Sequence, residues 1–448
     1  MNLSHMLAHR AQSGRPLRVA LIGAGKFGSM YLTQARLTVG VHITAIVDLD
    51  PGRARATLAT CGWPEEQSAA TSLNDAVQAG PTFITDDLAG VLDDERVEVV
   101  IEATGDPSVG IRHALAVIEA GKHVIMVNVE ADVLAGPLLA RKAEKAGVVY
   151  SLAWGDQPAL ICEHVDWARA CGFKVVCAGK GTRYLPTYHQ LTPETVWDVL
   201  VQYLGITDRS LINPKMFNSF LDGTKSGIEM TAVCNATGLL PQPDGLSFPP
   251  ASRFELSTVL RPKDAGGALP ITGTTEVVSS LTREGVDVPH HLAMGTFVVI
   301  EGETDYARQC FREYHMLEDE SGRFAALYRP THMIGMELGL SVASVVLRKE
   351  PTGAPRGFVA DVVATAKRDL KAGEMLDGEG GATVWGKQQP AEASVRAGLL
   401  PLGLATHVKL VRDVAEGAML AWDDVAIDTT QTAVRIRREM EEAFVPAA

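Results

Sequence analysis

One apolar run that breaks into three spaced glycines constrains this chain more than any other feature. In RVALIGAGKFGSMYLTQA, Val19 to Ile22 reads as a buried strand, and Gly23, Gly25 and Gly28 follow at G-x-G-x-x-G spacing. A helix opens at Lys26. Gly23 permits the tight turn, Gly25 lets a ligand approach the backbone, and Gly28 lets helix and strand pack closely. The free N–H groups and dipole of such a helix start favour a pyrophosphate. A second predicted strand, HITAIVDLD, ends in Asp48, twenty residues after Gly28. A carboxylate there bonds the hydroxyls of an adenosine ribose. Together these features predict dinucleotide binding.

Asp48 accepts from a 2′-hydroxyl and repels a 2′-phosphate, so NAD is favoured over NADP. Arg53 and Arg55 follow closely and can swing to a phosphate, which keeps NADP open. The pattern then alternates. A strand from Val97 to Ile101 leads to the loop Ala103–Pro107, a helix stops at Gly121, and a strand runs from Val124 to Val127. Another helix and strand follow in AEKAGVVYSLAWGDQP. Such alternation means an α/β fold with a doubly wound parallel sheet of the Rossmann type, whose ligands bind beyond the carboxyl ends of the strands. Those ends are Thr104–Gly105, Asn128–Glu130 and Gly155–Asp156, which are expected at the nicotinamide end. The expected cofactor contacts are Gly23, Gly25, Lys26, Phe27 and Gly28, then Asp48 and Arg53, then Thr104, Gly105 and Asn128.

At 448 residues the chain is long for one core, and roughly 100–200 residues per domain predicts two to four domains. A net charge of -13 argues against a nucleic-acid partner, which needs an excess of lysine and arginine, without excluding a local cationic pocket. No apolar run approaches the ~20 residues of a membrane helix. MNLSHMLAHRAQSGR lacks the apolar core of a secretory signal and is expected as a helix packed on its own domain or on a partner subunit. The six cysteines form no C-x-x-C pair, so reduced thiols in a cytoplasm are expected.

In the middle, GFKVVCAGKGTRY reads as a strand running into a loop that holds Lys180, Gly181, Thr182 and Arg183. Two cations on a glycine-bearing loop suggest a phosphate or carboxylate site; a solvated loop is the alternative. SFLDGTKSGIEMTAVCNATG opens a helix carrying Thr224, Lys225, Glu229 and Asn235. Lys225 and Glu229 are four apart and share a face. The pair is either a surface ion pair or a lysine aimed at substrate, its proton affinity set by the glutamate. YRPTHM supplies Tyr328, Arg329 and His332 before an apolar helix, and His332 is an acid/base or a structural candidate. His290 and His291 read as a loop. Glu130 and Asp156 are either hydrogen-bonding carboxylates or ligands of a divalent metal that would polarise a hydroxy-ketone.

From Ala366 the texture changes. AKRDLKAGEMLD and LVRDVAEGAMLAWDD share R-D-x-x-x-G-x-M-L, with Arg368 and Arg412 in equivalent places. Two copies predict a small β-rich duplicated module rather than a solenoid.

The segments IEATGDPSVG, VNVEADVLAGP, SLAWGDQP, CAGKGT, FLDGTKSGIEM, NATGL and YRPTHM resemble homoserine-dehydrogenase-like oxidoreductases, and specifically the deoxyxylulose-phosphate reductoisomerase-like group. The terminal repeat resembles a SAF, or β-clip, module. The resemblance implies a Rossmann domain over 1–155, an α+β substrate and dimerisation domain over 156–350, and the SAF-like module over 351–448. It departs from homoserine dehydrogenases at VNVEAD, where Glu130 stands in place of their active-site lysine. The activity implied is hydride transfer to or from a small anionic hydroxy-ketone or polyol, with or without isomerisation. An NAD-linked dehydrogenase of a sugar acid or homoserine-like substrate is the alternative, and a nucleotide-sensing or scaffold protein is the non-enzymatic one. Lys225 or His332 would handle the proton, with Glu130 and Asp156 beside them. Lys180, Arg183 and Arg329 would clamp a substrate anion, with Thr224 and Asn235 as further substrate contacts. A cytoplasmic homodimer is expected by the same analogy.

Overall fold

The computed structural model describes residues 2–205 and 212–445. The chain forms two compact units, Met1–Leu160 with Met333–Pro355, and Ile161–His332 with Arg356–Ala448. This differs from three consecutive domains. Residues 333–355 return to the first unit, and the repeat region packs with the middle of the chain. Seven helices carry the argument: α1 (Leu3–Gln12), α2 (Lys26–Ala35), α3 (Val129–Lys145), α4 (Gln157–Ala170), α5 (Thr224–Thr237), α6 (Gly339–Arg348) and α7 (Thr432–Phe444). No helix among the described residues is long and apolar enough to cross a membrane.

The first unit is built on six strands: β1 (Leu17–Ile22), β2 (Val41–Val47), β3 (Phe83–Thr85), β4 (Val99–Glu102), β5 (His123–Met126) and β6 (Tyr150–Leu152). Their order is β3-β2-β1-β4-β5-β6, with every pairing parallel. This is the doubly wound sheet expected. The order reverses between β1 and β4, where ligands of such sheets bind. The strands are buried on both faces, so they read as near-continuous apolar runs. Leu3 and Leu7 of α1 join Val342, Val345 and Val346 of α6 in the core beside Leu17, Val19 and Leu21 of β1. The N-terminal helix therefore packs on its own unit.

The second unit holds a five-stranded sheet in the order β10-β11-β9-β7-β8. Its strands are β7 (Lys174–Thr182), β8 (Thr274–Ser279), β9 (Thr296–Glu301), β10 (Leu317–Glu318) and β11 (Phe324–Arg329). Only β7 and β8 are parallel. Ile161 and Val165 of α4 and Met230 and Val233 of α5 pack with Ala178, Val277 and Val298 of the sheet. Here the structure corrects the sequence reading. Lys180, Gly181 and Thr182 lie in the β7 ladder opposite Val277, Val278 and Ser279, not in a loop.

The repeat region adds β12 (Ala360–Ala366), β13 (Met375–Asp377), β14 (Val384–Pro390), β15 (Thr406–Leu410) and β16 (Val425–Ala426). β12 pairs with β14, and β13, β15 and β16 form a small sheet. The two sequence copies face each other about a local two-fold. Leu370 and Val414, equivalent positions, exchange both backbone bonds at 2.8 and 3.0 Å. The Asp369 carboxylate accepts from the Glu416 N–H, and the Asp413 carboxylate accepts from the Ala372 N–H, each at 2.9 Å. The motif is thus a duplication whose conserved acids cap each other's turns. α7 closes the unit through Arg437, which is fully buried against Asp361 and Glu441.

Candidate functional site

The first unit presents the glycine loop as expected. α2 starts at Lys26 with Gly25 as its N-cap and no side-chain cap bond, so its first N–H groups are left for a ligand. An added Cβ at Gly28 would stand 2.4 Å from the Gly23 carbonyl oxygen, whereas one at Gly25 would meet no atom within 4 Å. Gly28 is thus required by packing, and Gly25 leaves the backbone open for a phosphate. Lys26 is exposed, and Phe27 packs partly on the core.

Asp48 follows β2 directly and is buried. It accepts from Ala24 N at 2.9 Å, Asp50 N at 3.0 Å and the Arg53 guanidinium at 2.7 Å. Burial alone would raise its carboxyl; these donors outweigh it and hold the group below the usual carboxylate range. The acid thus ties β2 to the glycine loop and keeps Arg53 at its side. A dinucleotide fits this geometry.

Beyond β4, the Thr104 hydroxyl donates to Glu102, which is buried, also touches His113, and has Oε2 without a partner among the described residues. Gly105 turns the loop at φ 81°. Asn128 needs correction. Its Oδ1 caps α3 through Ala131 N and its Nδ2 donates to the Asp106 carbonyl, so it orders the loop rather than facing a cofactor. Glu130, two residues on, is half-buried, and buried Asp156 accepts from Gln157 N. Among the described residues no group of three or more His, Cys, Asp or Glu is arranged to hold a metal ion.

The sequence reading passed over Asp132, two residues after Glu130. It is wholly buried and accepts from the Tyr150 hydroxyl at 2.8 Å. Burial, partly offset by that bond, raises its carboxyl to about 7. The folded chain therefore holds a proton that the unfolded chain loses above about pH 4. The stability this proton confers is complete below that pH and is lost as pH rises to about 7. Asp132→Asn is expected to flatten that limb, at ~1.4 kcal/mol per pH unit. Unfolding midpoints from pH 4 to 8 check it, and an unchanged slope would refute the assignment.

In the second unit a polar row crosses three strands. Thr296 at the start of β9 stands opposite Lys180 of β7 on one side and Arg329 of β11 on the other. Directly opposed residues of antiparallel strands share a face. Lys180 is buried, and its Nζ donates to Glu229 of α5 at 2.5 Å. His164 of α4 meets the Thr296 hydroxyl through Nε2 at 3.0 Å. Burial, then the nearby Arg329 charge, lowers its imidazole to about 4, so it is neutral at physiological pH. Burial raises the neighbouring Glu163, and Arg329 opposes the rise. His332 Nδ1 lies 2.8 Å from the Met294 carbonyl, two residues before Thr296.

The structure thus brings together Lys180, Arg329, Glu229 and His332, and adds Glu163, His164 and Thr296. Nothing local marked those three. His164 follows an apolar stretch of helix, where a histidine is ordinarily structural. Three expectations change. The acid paired with Lys180 is Glu229, which had been assigned to Lys225; Lys225 is half-buried one turn earlier. Arg183 is engaged by Asp287 at 2.7 Å and stacks over Tyr203, so it is not a loop cation awaiting an anion. Thr224 and Asn235 are buried, and their side-chain oxygens accept backbone N–H groups of the C-terminal module, from Gly386 and from Val359 and Ala360. They are clamps between segments rather than substrate contacts.

Residues 17–128 match the family described as an oxidoreductase family with an NAD-binding Rossmann fold. Residues 155–338 match the catalytic domain of the oxidoreductase DRL. No curated protein matches. Among solved structures, the oxidoreductase domain protein from Kribbella flavida is 19% identical, with a TM-score of 0.28 over 38% of this chain and 44% of that one. The NAD binding oxidoreductase from Klebsiella pneumoniae is 20% identical, with a TM-score of 0.28 over 38% and 43%. The chain thus spans less than half the length of these two. GenD2 from gentamicin A biosynthesis, in complex with NAD, is 15% identical, with a TM-score of 0.35 over 75% and 88%. Both family matches are to oxidoreductase domains, and the first of them spans the glycine loop.

Proposed function

We propose that the chain transfers hydride between a nicotinamide cofactor, NAD by preference, and a small anionic hydroxy-ketone or polyol. The observation that carries the reading is the row Lys180–Thr296–Arg329, with neutral His164 against its centre. A bound nicotinamide supplies or accepts the hydride. In the reducing direction Lys180 donates a proton to the carbonyl oxygen as the carbon gains hydride, and Glu229 holds the ammonium in place. Arg329 takes the substrate's phosphate or carboxylate. His164 and Thr296 orient a hydroxyl. Lys225 and His332 remain alternatives for the proton.

Deoxyxylulose phosphate is the candidate that the resemblance of the sequence segments suggests, and reduction coupled to isomerisation is the narrower form of the proposal. The test is purified protein with NADH and NADPH, offered deoxyxylulose phosphate and a panel of sugar acids and followed by nicotinamide absorbance. Turnover supports the reading; cofactor binding without turnover on any of them counts against it.

NAD preference rests on Asp48 and its neighbour Arg53. Asp48→Ser removes the carboxylate and frees the guanidinium for a 2′-phosphate. We expect the ratio of NADPH to NADH affinity to rise on the order of tenfold to a hundredfold, the worth of one or two charge-assisted bonds. Fluorescence titration with both cofactors measures it, and an unchanged ratio would remove Asp48 from the specificity argument.

A further inference from the structure

The C-terminal module lies in the same compact unit as the polar row, and its contacts with α5 follow one line. Thr224, Gly227, Thr231 and Asn235 recur at spacings of three and four, so they form a single stripe along the helix. Each meets the module. The Thr224 hydroxyl oxygen accepts from Gly386 N at 2.9 Å. A Cβ at Gly227 would stand 2.7 Å from the Gly386 carbonyl oxygen, so helix and β14 touch backbone to backbone. The Thr231 hydroxyl donates to the Asp361 carbonyl at 3.3 Å. Asn235 Oδ1 accepts from Val359 N and Ala360 N at 2.8 and 3.0 Å. Below the first turn, Lys367 of the module reaches Asp222 at 2.7 Å, and Asp222 in turn accepts from Thr224 N. Glu229 lies off the stripe and faces Lys180.

We propose that the C-terminal module positions the catalytic lysine: it grips α5 along the Thr224–Asn235 stripe and so holds Glu229 against Lys180. The proposal rests on the reading of Lys180 given above. Thr224, Gly227, Thr231 and Asn235 are positioning residues that act through Glu229. The place of Glu229 follows from the helix that carries it.

The test is pulse acetylation of the full-length protein with acetic anhydride, read lysine by lysine by mass spectrometry. Thr224→Val removes one bond without adding volume, and Gly227→Ala pushes helix and strand apart. Lys180 is expected to label roughly tenfold faster in both, the factor that one lost hydrogen bond permits. Exposed Lys371 should label as before, and Thr224→Ser should restore the slow rate. In turnover, kcat falls while the KM for cofactor holds. Circular dichroism establishes that the variants fold. If Gly227→Ala does not, Thr224→Val decides. A folded Thr224→Val protein with a wild-type Lys180 rate overturns the proposal. So does faster thiol labelling of Cys177, buried in the same strand, because the whole unit has then opened. Labelling needs no substrate, so a failed clamp and a failed enzymatic reading give different results.

Discussion

Lys180→Met is expected to lower kcat about a thousandfold, within the 10²–10⁴ range that one positioned proton donor contributes. The single variant has a second effect. It leaves Glu229, 3% exposed, as a buried carboxylate without its ammonium. Removing one partner of a buried pair costs about 3–5 kcal/mol, so lost activity alone would not separate chemistry from folding. Lys180→Met with Glu229→Gln does separate them. The double variant carries no buried charge at this place, and its thermal midpoint should return toward that of the parent. Its kcat should not. A double variant that turns over at the parental rate would end the case for Lys180 and move the proton to Lys225 or His332.

A second large loss of stability is expected at Arg437. Arg437 is fully buried. Its two terminal nitrogens donate to Asp361 at 3.0 and 2.6 Å, and its Nε donates to Glu441 at 2.8 Å. Its guanidinium also lies over the Phe358 ring at 4.9 Å. Asp361→Ala leaves that cation with one carboxylate and deprives the Ser394 hydroxyl of its acceptor. The expected cost is about 3–5 kcal/mol, or a fall of roughly 10 °C in the midpoint of the unit that contains it. Calorimetry of the whole chain reads this directly. An unchanged transition would show that the lone buried cation is not costly here and would refute the expectation.

What could be read from the sequence was local. Strand, glycine loop, helix and acid lie within a few dozen residues, and the sterics that select glycine at 28 act against Gly23, five residues before it. The repeat was legible for the same reason, because its two copies carry one turn chemistry. The polar row was not. Lys180 meets Glu229 only because α5 packs on β7, and Thr296 joins them only through antiparallel register with two strands distant in sequence. The helical spacing of Lys225 and Glu229 is real, yet periodicity reports which residues share a face and not what the face meets. Thr224 and Asn235 show the same limit. A polar residue on a buried helix must be satisfied, and whether by substrate or by backbone depends on the segment opposite. Asn128 was misread because cap and ligand contact favour the same residue type at the same helix start.

The return of residues 333–355 to the first unit has a consequence for how the protein is made. Val342, Val345 and Val346 belong to the core that also holds β1, so the nucleotide-binding half cannot close when its own last strand leaves the ribosome. It waits until Pro355 has been synthesised, with the five-stranded sheet of the other unit emerging in the interval. A fragment cut after residue 160 would expose the apolar face that α6 covers. A chain rejoined so that 333–355 follows residue 160 directly would carry its own lid, and would be the form in which to study cofactor binding alone.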